Sequence, residues 1–287
     1  MDWNLMIALA ANGIVWGLII ALIALGLSII FGLLDIINVA HGDFFMVGTV
    51  LAFGVLQTTG NFWLALLIVP ILGFVLGAVI EQIVIKPIRN AAALSIVATF
   101  GLSIILQESV RATYGAAPRR ILPPIEGTFP LLNIEYDIYR LVAAFLSILA
   151  ISGFFLFLHR TKFGTWMRAV RHDSEAALIM GIPTERVYLM TFAIGFALAA
   201  LGGVVAAPIT TVDFRSGIDI LPFCFMAVII GGLGNLPGTA AAAVLLSFVE
   251  GVVASFTDPT MARITSLCLM SAVLLLRPQG LFTGLAK

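Results

Sequence analysis

Polar and ionisable side chains cluster at one break between two long hydrophobic runs. Asn38, His41 and Asp43 fall close together here, with Gly42 among them. A helix that begins at such a break inside a bilayer offers free N–H groups and a positive dipole end, which suits a ligand carboxylate or carbonyl. The alternative is that Asp35, His41 and Asp43 lie at the cytoplasmic interface and that His41 is a hydrogen-bonded structural residue. In either case we expect a new helix to start near Asp43.

Two polar residues in other apolar runs are further candidates for a substrate pathway, because a polar group at membrane depth is costly and is functional by default. Glu250 falls well inside the run 239–256 with no basic residue close to it in sequence. We expect it in a water-filled or inter-subunit region. Asn12 lies one helical turn from Trp16 and could line a pathway with it, an ordinary interfacial aromatic being the alternative.

Two other acidic positions have structural interpretations. Glu81 falls near the end of its apolar run, where it could meet Lys86 or Arg89. The pair Gln107-Glu108 falls near the end of another run, beside Arg111. We expect both positions to be stabilised by local charge pairing.

A third cluster is rich in glycine. Gly231, Gly232, Gly234 and Gly238 fall in one short segment together with Pro237, and an unbroken helix cannot run through them. No Lys-Ser or Lys-Thr pair follows, which disfavours a phosphate-binding loop. The composition predicts a tight turn between two helices at the cytoplasmic side, or a break that lines a cavity.

The segment 159–187 is the longest basic connection, and it contains signals for a short helix. Asp173 or Ser174 can cap a helix whose first turn holds Glu175, and Gly181 can end it in a left-handed conformation. Pro183 is expected to prevent the helix from resuming. A helix of about two turns with apolar side chains could dock on another protein, the alternative being an interfacial helix that only links two spans.

The elements that must position these clusters are membrane helices. The 287 residues are 61% hydrophobic and only 10% charged, against about 25% charged in a soluble domain. Nine apolar runs are long enough, or nearly so, to cross about 30 Å of hydrocarbon. They are 5–34, 44–58, 62–85, 91–110, 138–158, 188–209, 221–233, 239–256 and 264–276.

These runs predict an all-α, polytopic membrane protein with about eight to ten membrane segments, in a single domain over residues 1–287. The runs 44–58, 221–233 and 264–276 are short and could be tilted spans, half-helices or re-entrant segments. Glycine and alanine residues spaced by four in several runs allow close contact between helices. They are Gly13 and Gly17, Gly73 and Gly77, and Ala199 and Gly203.

Basic residues predict the orientation, because short cytoplasmic loops carry an excess of lysine and arginine. The segment 159–187 contains five such residues, and the turn 86–89 contains two more. Nine crossings then place the N-terminus outside and the C-terminus in the cytoplasm. The loop 111–137 is outside in this scheme although it contains Arg111, Arg119 and Arg120.

Composition and motifs exclude several other classes of protein. The formal net charge is zero, so there is no basic surplus for nucleic acid. Cys224 and Cys268 have no metal-ligand spacing, and neither a metalloprotease His pair nor a Gly-x-Ser-x-Gly elbow occurs. We expect no metal, no catalytic residue and no cofactor in this chain. Its three lysines are outside any P-loop, so ATP would have to bind elsewhere.

The clusters together resemble the permease subunits of branched-chain amino acid ABC importers, the hydrophobic amino acid uptake type, over essentially the whole chain. The likeness is carried by the segments 38–46 (NVAHGDFFM), 98–103 (ATFGLS), 168–182 and 231–238 (GGLGNLPG). The chain looks more like the shorter permease of the usual pair. Thr99, in the second segment, joins the candidate pathway residues.

The resemblance also gives a role to the short helix. Glu175-Ala176-Ala177 followed by Gly181 is similar to the EAA loop of ABC-importer permeases, which inserts into the ATP-binding subunit. The Ile-x-Leu-Pro that continues that loop in maltose-type permeases is absent at 191–194. The residues assigned to coupling are Ser174, Glu175, Ala176, Ala177, Met180, Gly181 and Ile182.

The resemblance implies the remaining parts of an ATP-driven importer. Its partners would be two ATP-binding subunits that hold ATP and Mg, a second homologous permease or a second copy, and an extracytoplasmic binding protein, all at a bacterial inner membrane. The substrate would be a branched-chain or other small amino acid, with urea, short amides or small carboxylates as alternatives in the same family. A more distant alternative is a proton-coupled secondary transporter that uses Glu250.

Overall fold

A computed structural model describes residues 3–89, 91–131, 134–277 and 279–282. Eight of the helices in these ranges are long and apolar enough to cross a membrane. The chain is therefore a polytopic helical membrane protein, as the composition predicts. The terminal residues on which part of the orientation prediction rests, Asp2 and Lys287 among them, lie outside the described residues.

The helices follow the predicted apolar runs closely. Their bounds are α1 Trp3–Leu34, α2 His41–Thr59, α3 Phe62–Ile80, α4 Ala92–Tyr114, α5 Ile138–Arg160, α6 Lys162–His172, α7 Ser174–Ile179, α8 Thr184–Ala206, α9 Ser216–Gly231, α10 Leu236–Ala254 and α11 Pro259–Leu276. A π-helical turn, Glu81–Ile85, and a 3-10 turn, Lys86–Ile88, extend α3. Two of the three short runs are thus long helices, α2 and α11, whereas α9 has only 16 residues.

Two elements were not predicted from the sequence. An antiparallel hairpin pairs β1, Thr128–Leu131, with β2, Ile134–Asp137, between α4 and α5. The helix α6 precedes α7, begins at the capping side chain of Thr161 and buries Gly164, Met167 and Val170. Because these buried residues recur every third position while arginine and lysine take the other face, the spacing could have predicted α6.

The helix α1 forms the centre of the bundle, where residues 19–25 are almost completely buried. It packs closely on α10 at the predicted glycines, since a Cβ added to Gly17 would lie 2.7 Å from the Cα of Val244. A Cβ on Gly77 of α3 would lie 3.0 Å from the Cα of Ala193 in α8. The small residues therefore allow van der Waals packing between helices that share no hydrophobic driving force in lipid.

The contacts at the helix ends define the two ends of the bundle. At one end, Arg171 of α6 contacts Gly32 near the end of α1, and the amide of Leu281 donates to Ile230 near the end of α9. At the other end, the hairpin contacts the first third of α1, and the backbone of Arg119 pairs with that of Val212. Segments 159–187 and 279–282 thus lie at the same end.

Candidate functional site

The connection between α1 and α2 is an irregular segment held against α4. The side chain of Asn38 accepts a hydrogen bond from the amide of Ala40, at 3.1 Å. The hydroxyl of Thr99 in α4 accepts from the amide of Val39, at 3.2 Å, and donates to the carbonyl of Ser95, at 2.8 Å. Asn38 and Thr99 are both fully buried, so the break lies inside the protein, where non-helical backbone is tolerated at membrane depth.

His41 shows how far the chain turns back before α2 begins. Its Nε2 donates to the carbonyl oxygen of Ile23, at 2.9 Å, and its ring meets the edge of Phe44. Because Ile23 precedes the end of α1 by eleven residues, α2 begins about 16 Å back along α1. The structure places His41 in the interior, not at the end of the bundle, and gives it the structural hydrogen bond that one interpretation of the sequence required.

Asp43 joins three helices. Its Oδ1 accepts from Nε2 of Gln107 in α4, at 3.0 Å, and that amide nitrogen lies 2.9 Å from the hydroxyl of Ser103. On the other side, a Cβ added to Gly217 of α9 would lie 2.8 Å from the Cα of Asp43. The starts of α2 and α9 therefore meet beside α4. Gln107, Ser103 and Gly217 were not predicted as site residues, because only the fold brings them to Asp43.

Two buried atoms in this cluster lack a partner among the described residues. They are Nδ2 of Asn38 and Nδ1 of His41. Since Nε2 of His41 faces a carbonyl oxygen, which only accepts, Nδ1 of the neutral ring is an acceptor. The cluster therefore combines an amide donor, an imidazole acceptor and the carboxyl of Asp43. This set of groups can bind both ends of a zwitterion.

The short helix α7 has the signals that the sequence predicts. Oδ1 of Asp173 accepts from the amides of Glu175 and Ala176, at 3.0 and 2.9 Å. Gly181 has a φ of 81°, and the amide of Ile182 donates to Ala177, which closes the helix end. One expectation is wrong: the helix resumes as α8 at Thr184, because a proline without an N–H fits just before a helix start.

The exposed face of α7 is apolar. Ala177 is buried against the protein, whereas Leu178, Ile179 and Met180 are 61%, 87% and 82% exposed. Glu175, Ala176 and Gly181 are also exposed, and Ser174 and Ile182 are half-buried. The predicted coupling residues thus form one short element, with three adjacent exposed apolar side chains at its C-terminal end.

Comparison with known proteins identifies the family. The model of the family described as "Branched-chain amino acid transport system / permease component" matches residues 9–276. The chain belongs to this branched-chain amino acid permease family. Over 94% of its length it is 28% identical to the permease LivH of Salmonella typhimurium and to BraD of Pseudomonas aeruginosa, and it covers 93% of each.

The permease is similar to a second type of subunit over a shorter region. It is 28% identical to the probable permease LivM of Methanocaldococcus jannaschii over 62% of this chain and 52% of that protein. The likeness to LivH-type permeases is therefore the more complete one, as the sequence predicts. No solved structure matches the permease.

The glycine cluster of the permease forms the turn between α9 and α10. Gly232 and Gly234 have φ values of 95° and 77°, which explains the need for glycine. The side chain of Asn235 caps α10 by accepting from the amide of Gly238, and it donates to the carbonyl of Phe282. Gly231, the last residue of α9, packs on Gly238. The break predicted from the sequence is therefore a tight turn, and it also lines a cavity next to α6.

Two of the predicted pathway residues lie away from the cluster. Asn12 accepts from the hydroxyl of Tyr136 and from Arg140, at 2.9 and 3.0 Å, about 16 Å along α1 from Ile23. Burial raises the pKa of Tyr136, so the phenol remains a donor. Glu250 lies only one turn from the end of α10, and Arg263 of α11 attracts it. No basic residue is close to Glu250 in sequence, but the hairpin of α10 and α11 brings Arg263 near it in the fold.

An ion-pair network links the extension of α3 to the start of α8. Arg89 lies 3.1 Å from the buried carboxylate of Glu81 and 3.1 Å from that of Glu185, and its guanidinium lies 4.4 Å from the ring centroid of Tyr188. Lys86 lies 3.3 Å from Glu185. The predicted pairing of Glu81 with Arg89 is confirmed. Glu185, six residues after the end of α7, was missed because its partners are remote in sequence.

The described residues contain no group of three or more histidine, cysteine, aspartate or glutamate side chains placed to hold a metal ion. The geometry supplies hydrogen-bonding groups in an apolar bundle and a short helix with an exposed apolar face. It is typical of a protein that binds and passes a solute.

Proposed function

We propose that this chain is the permease subunit of an ATP-driven importer that forms part of the pathway for branched-chain or other small amino acids. Family membership supports this role, as does the similarity to LivH and BraD, which are permease proteins of high-affinity branched-chain amino acid transport systems. The energy would come from two ATP-binding subunits that hold ATP and Mg. An extracytoplasmic binding protein would deliver the substrate, and a second permease or a second copy would complete the pathway.

The exposed tip of α7 is the observation that carries this proposal. Two turns of helix with fixed ends present Leu178, Ile179 and Met180 to the surroundings next to a basic segment. Apolar side chains in such a position are costly in water and are favourable when a partner's groove covers them. The helix α7 leads directly into α8, which packs on α1, α2 and α3. A movement of the partner would therefore be transmitted through α7 and α8 to the helices of the bundle.

The cluster around Asp43 supports a small zwitterionic substrate. The carboxyl of Asp43 and Nδ1 of His41 suit an ammonium group, and Nδ2 of Asn38 suits a carboxylate. The ring of Phe44 stacks on Phe196, at 4.0 Å between centroids, and contributes an apolar wall close to these groups. An aliphatic amino acid matches this combination better than urea or amides, which carry neither charge, and better than small carboxylates, which lack the ammonium group.

The proposed orientation has α6 and α7 in the cytoplasm of a bacterial cell and the hairpin β1–β2 outside, at the inner membrane. The basic residues of segment 159–187 support it, since positive charge is retained on the cytoplasmic side. The first helix then starts outside, and residues 279–282 lie in the cytoplasm.

The docking role is tested by Ile179→Asp, which places a charge at the centre of the apolar tip without touching the bundle. We expect at least a tenfold loss of ATP-binding subunits co-purified with the tagged permease, and a similar loss of ATP-dependent uptake in proteoliposomes, because a buried apolar anchor contributes about 2 kcal/mol or more. The matched control is Leu122→Asp, which alters a side chain that is 76% exposed at the other end of the bundle.

Unchanged co-purification and uptake in Ile179→Asp would contradict the docking role. Uptake by the isolated chain in proteoliposomes without ATP would instead favour a secondary transporter, and Glu250→Gln would then be the variant to measure.

A further inference from the structure

An apolar groove runs along the outside of α1 between α5 and α10. It has a volume of about 610 Å³, and its walls include Ile14 and Leu18 of α1, Ile148 of α5, and Val244 and Phe248 of α10. The residues that line it carry no charge. A groove of this kind among membrane helices is open to the hydrocarbon of the bilayer.

The groove leads into a cavity of different chemistry at the end of the bundle that carries α6. This cavity has a volume of about 720 Å³ and shares Ala241 with the groove. Its walls include Ser28 and Gly32 of α1, and its charged or titratable lining residues are His159, Arg168 and Arg171, with no acidic side chain. The apolar groove thus ends at a cavity lined by basic side chains.

The two arginines are positioned by backbone contacts and not by carboxylates. Arg168 donates to the carbonyl of Leu158 and to the hydroxyl of Thr165. The guanidinium of Arg171 packs over Gly234, where a Cβ would lie 2.9 Å from its Cζ, and close to Gly32. Within the described part of the chain, neither arginine forms an ion pair. Arg171 also borders a neighbouring pocket that contains Asp35, Asp173 and Glu175, but no described carboxylate lies within ion-pair distance of either guanidinium, so both can bind an anion.

We propose that this groove and cavity bind one anionic phospholipid from the leaflet on the α6 side. Arg168 and Arg171 would bind the phosphate and the anionic head group by charge-assisted hydrogen bonds, as basic pockets between membrane helices do. One acyl chain would lie in the groove along α1. From Ser28 in the cavity to Ile14 in the groove, the two compartments together follow about 21 Å of α1, enough for the hydrocarbon of one leaflet, which is about 15 Å thick.

The combination of the two compartments identifies the ligand. A free phosphate would use the arginines but would leave the apolar groove unfilled. A partner helix would fill the groove but would leave two arginines unpaired unless it supplied acidic groups. A phospholipid satisfies both, because one molecule carries an anionic head group and an acyl chain, and Ala241 lines both compartments. The proposal does not depend on which solute the permease transports.

The test uses the purified full-length permease, with the subunits that co-purify, in a neutral detergent after delipidation. Dioleoyl-phosphatidylglycerol or dioleoyl-phosphatidylcholine is added, and retained lipid is measured by native mass spectrometry. We expect phosphatidylglycerol to be retained about tenfold more strongly, and Arg171→Gln to remove about this difference, because one charge-assisted hydrogen bond corresponds to about a factor of ten.

A second variant tests the groove without changing a charge. Ala241→Phe fills the junction of groove and cavity and is expected to reduce retention of phosphatidylglycerol by a similar factor. Arg186→Gln, which removes an exposed arginine that lines neither compartment, is the matched control and should retain the lipid.

Equal retention of the two lipids, or retention unaffected by both Arg171→Gln and Ala241→Phe, would overturn the proposal. Complete competition by inorganic phosphate at millimolar concentration, with no effect of Ala241→Phe, would also overturn it, since the site would then bind a free anion. Loss of phosphatidylglycerol in both variants, with retention in Arg186→Gln, supports it.

Discussion

At the scale of single residues, Arg89 is far more buried than Lys86, the other basic residue of its ion-pair network. Its side chain is 12% exposed and faces Glu81, which is 1% exposed, whereas Lys86 and Glu185 are 55% and 60% exposed. A buried carboxylate that loses the cation paired with it becomes a poorly compensated charge in a medium of low dielectric constant. An exposed pair that is broken leaves two hydrated groups.

These differences predict unequal effects of two similar substitutions. Arg89→Gln should lower the free energy of unfolding by about 3 kcal/mol. Lys86→Gln should lower it by less than about 1 kcal/mol. Both values are measurable by chemical denaturation of the purified protein in detergent micelles, with wild type alongside. Equal effects of the two substitutions would contradict the assignment of Arg89 as the residue that stabilises buried Glu81.

Asp43 is the residue at which a transport role and a structural role can be separated. Asp43→Ala removes the acceptor for Gln107, whose amide also contacts Ser103. The free energy of unfolding should therefore fall by only about 1–2 kcal/mol. Uptake of the amino acid should fall at least tenfold, because the proposed partner of the ammonium group is lost.

The control for this prediction is Glu108→Ala, which alters the exposed neighbour of Gln107 and breaks only its pair with Arg111. Its uptake should equal that of wild type. Normal uptake by Asp43→Ala, at equal amounts of inserted protein, would remove Asp43 from the substrate pathway.

At the scale of elements, the helix starts of α2 and α9 determine the geometry of the cluster. Both begin inside the bundle, and they approach so closely that a Cβ on Gly42 would meet the backbone of Gly217 and a Cβ on Gly217 would meet that of Asp43. The helix α9 has 16 residues, too few to cross about 30 Å by itself. Two helices that start inside the bundle and meet at a polar cluster are an arrangement found at the binding sites of membrane transporters.

The close contact between α2 and α9 predicts that one methyl group added at Gly217 destabilises the protein. In Gly217→Ala the new Cβ would lie 2.8 Å from the Cα of Asp43, so α2 and α9 must move apart. Such overpacking costs about 1–3 kcal/mol. Thermal unfolding should show this loss, and uptake should fall with it.

Gly101→Ala is the matched control, because a Cβ at Gly101 of α4 meets nothing within 4 Å. It should leave the protein unchanged or stabilise it by about 0.5–1 kcal/mol through helix propensity. A neutral Gly217→Ala would show that the close approach of α2 and α9 is not needed.

At the scale of the whole molecule, the orientation of the bundle in the membrane decides whether the docking helix α7 faces the ATP-binding subunits that would drive transport. Leu122 and Ile179 are 76% and 87% exposed and belong to opposite ends. Their accessibility from either side of the membrane therefore reports the orientation of the entire bundle. The native Cys224 is buried, and only Cys268 has to be replaced.

In a Cys268→Ala background, Leu122→Cys should react with a membrane-impermeant maleimide in intact cells or spheroplasts. Ile179→Cys should react only after the membrane is permeabilised, because basic segments remain in the cytoplasm. The reverse pattern would contradict the proposed orientation. Labelling of both from the same side would contradict the placement of the two residues at opposite ends of the bundle.

The sequence by itself determined the features that depend on local physics. The low charge and the apolar runs required membrane helices, and Asp173 and Gly181 determined both ends of α7 through a cap and a left-handed residue. The glycine cluster at 231–238 required a turn for the same reason. The family likeness rested on these segments, and the family match confirmed it.

The tertiary structure alone decided which remote residues meet. Gln107, Ser103 and Gly217 reach Asp43 only because α4 and α9 pack beside the start of α2. Arg263 reaches Glu250 through the hairpin of α10 and α11. In lipid, helix packing follows shape and hydrogen bonding between helices, and these do not appear as a period in one helix's sequence. The composition thus specified the helices, and their mutual contacts specified the site.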